Sequence, residues 1–186
     1  PTDGSAAPTV VASGRDFVSD PRPSPDGFRL AWITWDHPNM PWDTTELWHG
    51  SIERDASSVS VTSQERLAGG SDESVVQPRW GPDNDLFVIS DRTNWWNIYA
   101  VEDVDVLRPV HVVDAEVAPP QWVFGRPSYT IGTDGALIST WAEGESARLL
   151  RVERSGASQV FDVARVGLSS LRSNGSDVVA IVTSVD

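Results

Sequence analysis

Residue types that could hydrolyse a substrate occur in this chain, but their spacing does not assemble a catalytic site. A serine nucleophile on a strand-to-helix elbow requires the pattern Gly-x-Ser-x-Gly, with Asp and His later in the chain. The nearest match, GLSSL at residues 167–171, lacks the final glycine and lies in a predicted strand. The histidines His37, His49 and His111 fall on one predicted loop and two predicted strands. No spacing pairs them with a serine, so we predict no catalytic residue here.

Potential metal ligands also occur close together without the spacing of a metal site. Asp36, His37 and Asp43 are suitable ligand types on one predicted loop. Asp103 and Asp105 would share one side of an extended segment, but they lack the glycine and the distal glutamate of a calcium loop. We therefore expect neither a metal nor a cofactor.

The charge balance argues against two classes of partner. All 14 basic residues are arginine, and 27 acidic residues give a net charge of −13. Nucleic acids and anionic membranes attract positively charged surfaces, so we expect neither as a partner. No apolar run approaches the ~18 residues of a membrane span, and no signal peptide opens the sequence. The absence of cysteine leaves the redox compartment undetermined, although a cytoplasmic location is favoured.

Aromatic residues on predicted loops are the strongest candidates for a functional surface. The chain has nine tryptophans, and several lie in or beside two predicted loops that also carry polar and charged residues. Such mixtures on the loops of a rigid scaffold are typical of a binding face. The alternative is that the loops pack on one another or on a neighbouring domain. The candidate residues for a substrate or domain-interface face are Trp35, Asp36, His37, Asn39, Trp42, Asp43, Asp91, Arg92, Trp95 and Trp96.

A repeated unit of strand, turn, strand, loop and strand positions these loops. Residues 77–99 are its clearest copy, and the pattern Pro-Arg-x-x-Pro-Asp at residues 21–26 recurs 57 residues later. Looser copies turn at Asp134-Gly135 and at Asn174-Gly175. A β-meander repeated every ~40 to 57 residues is typical of a β-propeller. Trp80 and Trp122 are assigned to one slot of the repeat, where we expect them to pack between blades.

We therefore predict an all-β fold, a partial β-propeller within one domain over residues 1–186. It has about three four-stranded antiparallel blades and incomplete blades at both ends. Residues 53–65 are expected to form a surface excursion, and residues 109–113 an outer strand. Propeller rings need about four to eight blades to close, so open edges should favour self-association. The expected segments are an outer strand at 9–14, blades at 15–68, 69–114 and 115–163, and a partial blade at 164–186.

Three segments resemble a known family. DPRPSPDGFRLAWITWDHPNMPWDTTELW at residues 20–48, GGSDESVVQPRWGPDNDLFVISDRTNWWNIY at 69–99 and PPQWVFG at 119–125 resemble the β-propeller of bacterial prolyl oligopeptidase family serine peptidases. Their dipeptidyl aminopeptidase/acylaminoacyl peptidase-like branch is the most similar. The turn pattern alone is shared with TolB-like propellers, whereas WDHPNMPWD and SDRTNWWN are more specific.

The resemblance implies a division of labour with a second domain. A C-terminal α/β-hydrolase domain, absent from this chain, would carry the Ser-Asp-His triad. The propeller would restrict access to peptide substrates and contribute contacts to them. The expected partners are thus that hydrolase domain and peptides. The alternative is a TolB-like propeller that binds proteins and has no peptidase activity.

Overall fold

The computed structural model describes residues 4, 7–55, 58–143, 146–163, 166–174 and 177–184. These residues form strands joined by turns and loops, and none of them belongs to a helix that could cross a membrane. In chain order the strands are β1 (Phe17–Pro23), β2 (Arg29–Trp35), β3 (Glu46–Arg54), β4 (Val59–Gly69), β5 (Val75–Trp80), β6 (Leu86–Ser90), β7 (Asn97–Asp103), β8 (Val106–His111), β9 (Tyr129–Ile131), β10 (Leu137–Glu143), β11 (Ser146–Val152), β12 (Ser158–Val163), β13 (Val166–Ser173) and β14 (Val178–Ser184).

The strands form three four-stranded antiparallel meanders and a two-stranded sheet. Their orders are β1-β2-β3-β4, β5-β6-β7-β8, β9-β10-β11-β12 and β13-β14. The inner strands of successive sheets meet, since β1 contacts β5 and β9 contacts β13. This is an open arc of propeller blades, as the repeat predicts, with an incomplete blade at its C-terminal end.

The same tight turn joins the first two strands of each complete blade. At its tip lie Gly27, Asn84 and Gly135, with φ of 76°, 64° and 78°. Their backbone N–H groups donate to the carbonyl three residues earlier, at 2.9, 3.1 and 2.9 Å. Glycine adopts this left-handed conformation freely, and asparagine does so more readily than most residues. The turn predicted at Asp134-Gly135 is confirmed, and the first two blades reverse in the same way at Gly27 and Asn84.

Adjacent blades pack face to face through two hydrophobic clusters. One, between the first and second blades, contains Leu47, Val75 and Val88. The other, between the second and third blades, contains Ile89 and Tyr129. Successive strand residues point to opposite faces of a sheet. β6 therefore supplies Val88 to one cluster and Ile89 to the other, which explains why its sequence is apolar throughout.

Three inner strands share one β-bulge. In β1, β5 and β13 the strand has one more residue than its partner at this point. The bulged residues with positive φ are Asp20, Gln77 and Ser170, at 52°, 55° and 56°. A bulge bends the strand and re-aims the side chains that follow it. An arginine stands two residues after each bulged residue.

The outer strand of the first blade is longer than the sequence predicts. The surface excursion expected over residues 53–65 is wrong for its second half, because β4 begins at Val59. β4 is the edge of its sheet and most of its polar side chains are exposed or half-buried. An edge strand of this kind shows little apolar alternation, which is the signal that sequence reasoning uses.

The outer strand of the second blade is shifted from its expected position at residues 109–113. β8 spans Val106–His111, so Pro109 lies inside the strand and not at its first position. Proline cannot donate to a β-ladder and is tolerated on edge strands and at bulges. Both conditions hold here, because β8 is a sheet edge and the register shifts opposite Pro109, between Ile98 and Tyr99.

No strand is present at residues 9–14, where the outer strand of a preceding blade was expected. Val11 and Ala12 pack against a cluster that contains Leu30 and Trp32. Their apolar character is therefore explained by burial on the first blade without a hydrogen-bonded strand partner. In the partial blade, the turn predicted at residue 175 lies outside the described residues.

Candidate functional site

The two predicted loops emerge at the same end of the blades. The β2–β3 loop (residues 36–45) and the β6–β7 loop (residues 91–96) both connect the second and third strands of a blade. The long connection between β8 and β9 (residues 112–128) starts at that end too, because His111 pairs with Ile98 at the start of β7. We call this end of the blades the loop face.

A buried serine joins the two loops. The Ser74 hydroxyl donates to the Pro41 carbonyl at 2.7 Å, and the Ser74 N–H donates to Asp91 Oδ1 at 2.8 Å. Beside it the Thr45 hydroxyl donates to the Val75 carbonyl at 2.5 Å and accepts from the Val75 N–H at 2.6 Å. Ser74 and Thr45 are almost completely buried. The loops therefore form one rigid unit with the β4–β5 connection.

Asp36 ties the start of the first loop to residues before β1. Its Oδ2 accepts from Arg15 Nη1 at 2.7 Å, and its Oδ1 accepts from the Asp16 N–H at 2.8 Å. The Asp16 carboxylate in turn accepts from the His37 N–H at 2.9 Å. The backbone hydrogen bond from Asp16 and the Arg15 guanidinium hold the pKa of Asp36 below its usual range. Asp36 thus anchors the loop.

Arg92 and Asp91 anchor the second loop in a similar way. Arg92 Nε lies 2.9 Å from Glu73 Oε1, and its Nη2 donates to Glu73 Oε2 at 3.2 Å. The guanidinium also lies 5.5 Å from the centroid of the Tyr99 ring. Asp91 is half-buried, and its burial raises the pKa of its carboxyl group. Arg92 is therefore paired with Glu73, whereas Asp91 accepts a hydrogen bond from the Ser74 N–H.

Asn39 and Asp43 shape the first loop locally. The Asn39 N–H donates to the Asp36 carbonyl at 3.1 Å, and Asp43 Oδ2 accepts from the Met40 N–H at 2.8 Å. The Asp43 N–H returns to the Met40 carbonyl at 2.9 Å. The Asp43 side chain and backbone therefore both bond to Met40 and stabilise the turn between these two residues. The sequence identified both residues as candidates for the binding face. In the structure, their hydrogen bonds fix the conformation of the loop.

An aromatic cluster covers one side of the loop face. Trp35 stacks on Phe17 with ring centroids 4.9 Å apart, and on Phe124 at 5.8 Å. The exposed His37 ring meets the edge of Phe17 at 4.9 Å. Aromatic rings at these separations attract beyond their buried area. The β2–β3 loop and the β8–β9 connection are thereby held together at Trp35.

Trp42 joins the first loop to the β8–β9 connection. Its ring centroid lies 4.1 Å from that of Trp122, and it packs against the cluster between the second and third blades. Trp122 is 73% exposed. The prediction that Trp122 packs between blades is therefore wrong, whereas Trp80 is half-buried beside the first blade and donates to the Arg22 carbonyl. Counted back from the turn, Ile131 occupies the slot of Trp80.

The adjacent residues Trp95 and Trp96 have different roles. Trp95 is 37% exposed on the loop face. Trp96 is 8% exposed, and its side chain belongs to the hydrophobic cluster between the second and third blades. Its candidacy as a surface contact is corrected accordingly. Its backbone still contacts the loop face, because the Trp96 N–H donates to Glu116 Oε2 at 3.0 Å.

Sequence reasoning missed several residues that build the loop face. Glu73 and Arg15 supply the ionic partners of the loops, and Trp122 and Phe124 supply exposed aromatic surface. The segment PPQWVFG carried a signal, since it is a run of large apolar residues in a proline-rich connection. The repeat-based prediction places Trp122 in the slot of Trp80, although Trp122 lies much further from its turn than Trp80 does.

The loop face offers a surface for contact with a partner. Most of its charged candidates are paired within the chain, and the described residues include no group of three His, Asp or Glu side chains placed to hold a metal. The uncovered surface combines exposed polar residues, such as Thr93 and Asn94, with an apolar patch. Its exposed large side chains are Met40, Trp95, Trp122, Val123 and Phe124.

Comparisons with known proteins point to one group of enzymes. No protein-family model and no curated protein matches the chain. Among solved structures, a puromycin-hydrolysing peptidase from Mycobacterium tuberculosis is 32% identical with a TM-score of 0.80, over 92% of this chain and 26% of its own. Puromycin hydrolase is 30% identical with a TM-score of 0.80, over 91% and 26%. The chain spans about a quarter of the length of these enzymes.

A more distant match shares the fold. A prolyl oligopeptidase B from Galerina marginata, bound to a 25mer macrocyclization substrate, is 10% identical with a TM-score of 0.54, over 84% of this chain and 21% of its own. TolB from Acinetobacter baumannii is 14% identical with a TM-score of 0.49, over 80% and 39%, and this likeness carries no argument.

Proposed function

Because the chain is a β-propeller segment of the prolyl oligopeptidase family, we propose that it is the non-catalytic part of a serine peptidase that controls peptide access. Its loop face meets a C-terminal α/β-hydrolase domain of the parent chain. Peptides reach that domain past the loop face, which helps to bind them. We also propose that the parent peptidase belongs to the dipeptidyl aminopeptidase/acylaminoacyl peptidase-like branch of this family.

The observation that carries this proposal is the exposed apolar patch on the loop face. Trp122, Val123 and Phe124 are 73%, 53% and 45% exposed in consecutive positions. Large exposed apolar patches that are rimmed by polar residues mark interaction sites on protein surfaces. Tryptophan is also among the residues that contribute most to binding at interfaces. A neighbouring domain or a peptide would cover this patch.

The rigidity of the loop face supports a role in positioning. The Ser74 hydrogen bonds and the Arg92–Glu73 ion pair fix both loops before any partner binds. A preformed surface loses less conformational entropy on binding than a mobile one. The exposed rings of Trp95 and Trp122 are therefore presented in a constant arrangement.

The test uses the full-length parent protein with Trp122→Ala and, separately, Trp95→Ala. We expect kcat/KM for peptides to change by about tenfold in either direction, since an aromatic contact contributes on that scale. A small chromogenic ester, which does not depend on the loop face, should be hydrolysed at the unchanged rate. Unchanged peptide kinetics in both variants would contradict the proposal.

Phe28→Ala is the matched control. Phe28 is 67% exposed, but it lies on the turn between β1 and β2, at the opposite end of the blade. Its truncation removes similar aromatic surface without touching the loop face. We expect peptide and ester kinetics of the wild type.

The TolB-like alternative is tested by the parent gene beyond residue 186, where a Gly-x-Ser-x-Gly elbow supports the peptidase and its absence supports a binding module.

A further inference from the structure

The inner strands bring arginines together at one level of the arc. Arg22, Arg79 and Arg172 occupy the same register, each two residues after a bulged residue with positive φ. They pair with Ala31, Phe87 and Val179 on the neighbouring strands. In the third blade the position belongs to Thr130, opposite Ile138. The repeat thus places three arginines and one threonine at the same register position of the inner strands.

These guanidinium groups have few anionic partners. The Nε atoms of Arg22 and Arg79 are buried without a hydrogen-bond acceptor. Asp20 forms an ion pair with Arg22. Arg172 donates to the carbonyls of Leu171 and Gly125, at 3.3 and 2.8 Å, and carbonyl oxygens carry no full charge. Among the described residues, the pair of Arg22 with Asp20 is the one ion pair formed by these three arginines.

Arg79 is the most confined member of the group. Its guanidinium carbon lies 5.7 Å from the centroid of the buried Tyr129 ring. Burial lowers the pKa of the Arg79 guanidinium, and the nearby charges of Arg22 and Arg172 lower it further. A buried donor without a partner costs more free energy than a satisfied one. An anion placed between these arginines would remove that cost.

A cleft of about 250 Å³ opens directly onto two of the arginines. Arg22 and Arg79 line it together with Thr130, and the residues after them in the repeat complete its walls. Those residues are Pro23, Trp80 and Ile131, and Pro25 also lines the cleft. Six of the seven lining residues therefore come from two repeat positions in each of three blades. We call it the arginine cleft.

We propose that the arginine cleft binds a small oxyanion, a carboxylate or a phosphate group, held by Arg79 and Arg22 with Thr130 beside them. The planar guanidinium fork matches the paired oxygens of either group. The Thr130 hydroxyl can donate one further hydrogen bond. Such a positive site stands out in a chain whose net charge is −13.

Two ligands carry this chemistry. One is the C-terminal carboxylate of a peptide, an assignment that rests on the proposed function because it requires peptides to pass the propeller. The other is inorganic phosphate, which requires no peptidase activity. An amidated peptide separates them, since it keeps the peptide contacts and removes the terminal charge.

The experiment is calorimetric titration of the full-length parent protein with three probes. They are the tripeptide Ala-Ala-Ala, its C-terminal amide and inorganic phosphate. We expect either the free tripeptide or phosphate to bind. If the peptide carboxylate is the ligand, the amide should bind at least about tenfold more weakly than the free tripeptide, because it lacks the terminal charge. Arg79→Gln and Arg22→Gln should each weaken anion binding by about 10- to 100-fold, because each removes charged hydrogen bonds.

The control variant is Arg108→Gln. It removes the same charge from the outer strand β8, where Arg108 pairs with Glu102 at the surface. We expect anion affinity of the wild type in this variant. Circular dichroism identifies any variant that fails to fold. If Arg79→Gln does not fold, Arg22→Gln still tests the proposal, because Arg22 is the more exposed of the two arginines.

The outcomes separate cleanly. Binding of the free tripeptide that the Arg22 variant weakens supports a peptide carboxylate site, and binding of phosphate alone supports a phosphate site. Absence of binding by both anions, or binding that the arginine variants leave unchanged, would overturn the proposal. Neither result depends on the kinetics of the Trp122 and Trp95 variants, so the cleft and the proposed function can fail separately.

Discussion

Gly69 shows how closely the loop face is assembled at the level of single residues. It ends β4 with φ of 84°, and a Cβ atom there would lie 2.0 Å from the Thr45 carbonyl oxygen and 2.8 Å from Val75 Cγ2. Thr45 belongs to the hydrogen-bonded junction that fixes the loops. A side chain at Gly69 would therefore displace the junction as well as strain its own backbone.

Gly69→Ala should destabilise the chain more than Gly156→Ala. Gly156 has almost the same φ, 86°, but no atom lies within 4 Å of its Cβ position. Left-handed backbone strain costs an alanine about 1–2 kcal/mol at either site. Steric overlap adds ~1–3 kcal/mol at Gly69 alone. Urea unfolding of both variants measures the difference, and equal losses would show that the contact with Thr45 does not matter.

At the scale of elements, the β5 bulge holds the second and third blades together. Gln77 lies in the bulge, and its carbonyl accepts from the buried Tyr129 hydroxyl at 2.8 Å. Its side-chain amide exchanges hydrogen bonds with Ser128, donating to Oγ at 3.1 Å and accepting from the N–H at 2.8 Å. The bulge thus turns an otherwise unpaired backbone group toward the neighbouring blade.

Tyr129→Phe should weaken this contact between blades. It leaves the buried Gln77 carbonyl without its donor, at a cost of about 1–3 kcal/mol. The chain has two tyrosines, and Tyr99→Phe is the control. Tyr99 is also buried, but its hydroxyl makes only a 3.4 Å contact with the Thr93 hydroxyl in its own blade. Urea unfolding should show a clearly larger loss for Tyr129→Phe; similar losses would contradict the role given to the bulge.

At the scale of the whole molecule, the arc ends in a blade that is only half formed. β13 and β14 pair with each other, and β14 has a free edge in the described chain. Val179, Ile181 and Val182 on β14 are each about 60% exposed. Unpaired strand edges with apolar side chains readily pair with other chains. This geometry supports the expectation of self-association, which remains a prediction.

The 186-residue chain on its own should associate through β14. Ile181→Lys should shift sedimentation velocity profiles toward the monomer, because a charge on an edge strand opposes pairing. Val10→Lys is the control, since Val10 is 78% exposed and lies outside the sheets. A monomeric wild-type chain at ~100 μM, a concentration that would populate a complex with a micromolar Kd, would refute the prediction.

The sequence by itself determined the repeat and its local features. Turns at Gly27, Asn84 and Gly135 can be predicted because their conformation depends on neighbouring residues alone. The buried strand β6 was readable because it is apolar on both faces. Edge strand β4 was only partly found, since its polar side chains face solvent and give no period.

Only the tertiary structure decided how individual side chains are used. Trp96 is buried because its ring belongs to the hydrophobic cluster between the second and third blades. Trp122 contacts only the Trp42 ring among the described aromatic side chains and stays 73% exposed. Arg22 and Arg79 are 57 residues apart and share a cleft because two blades place the same bulge side by side. Local sequence sets the conformation of each strand, whereas burial and charge environment depend on the stacking of blades.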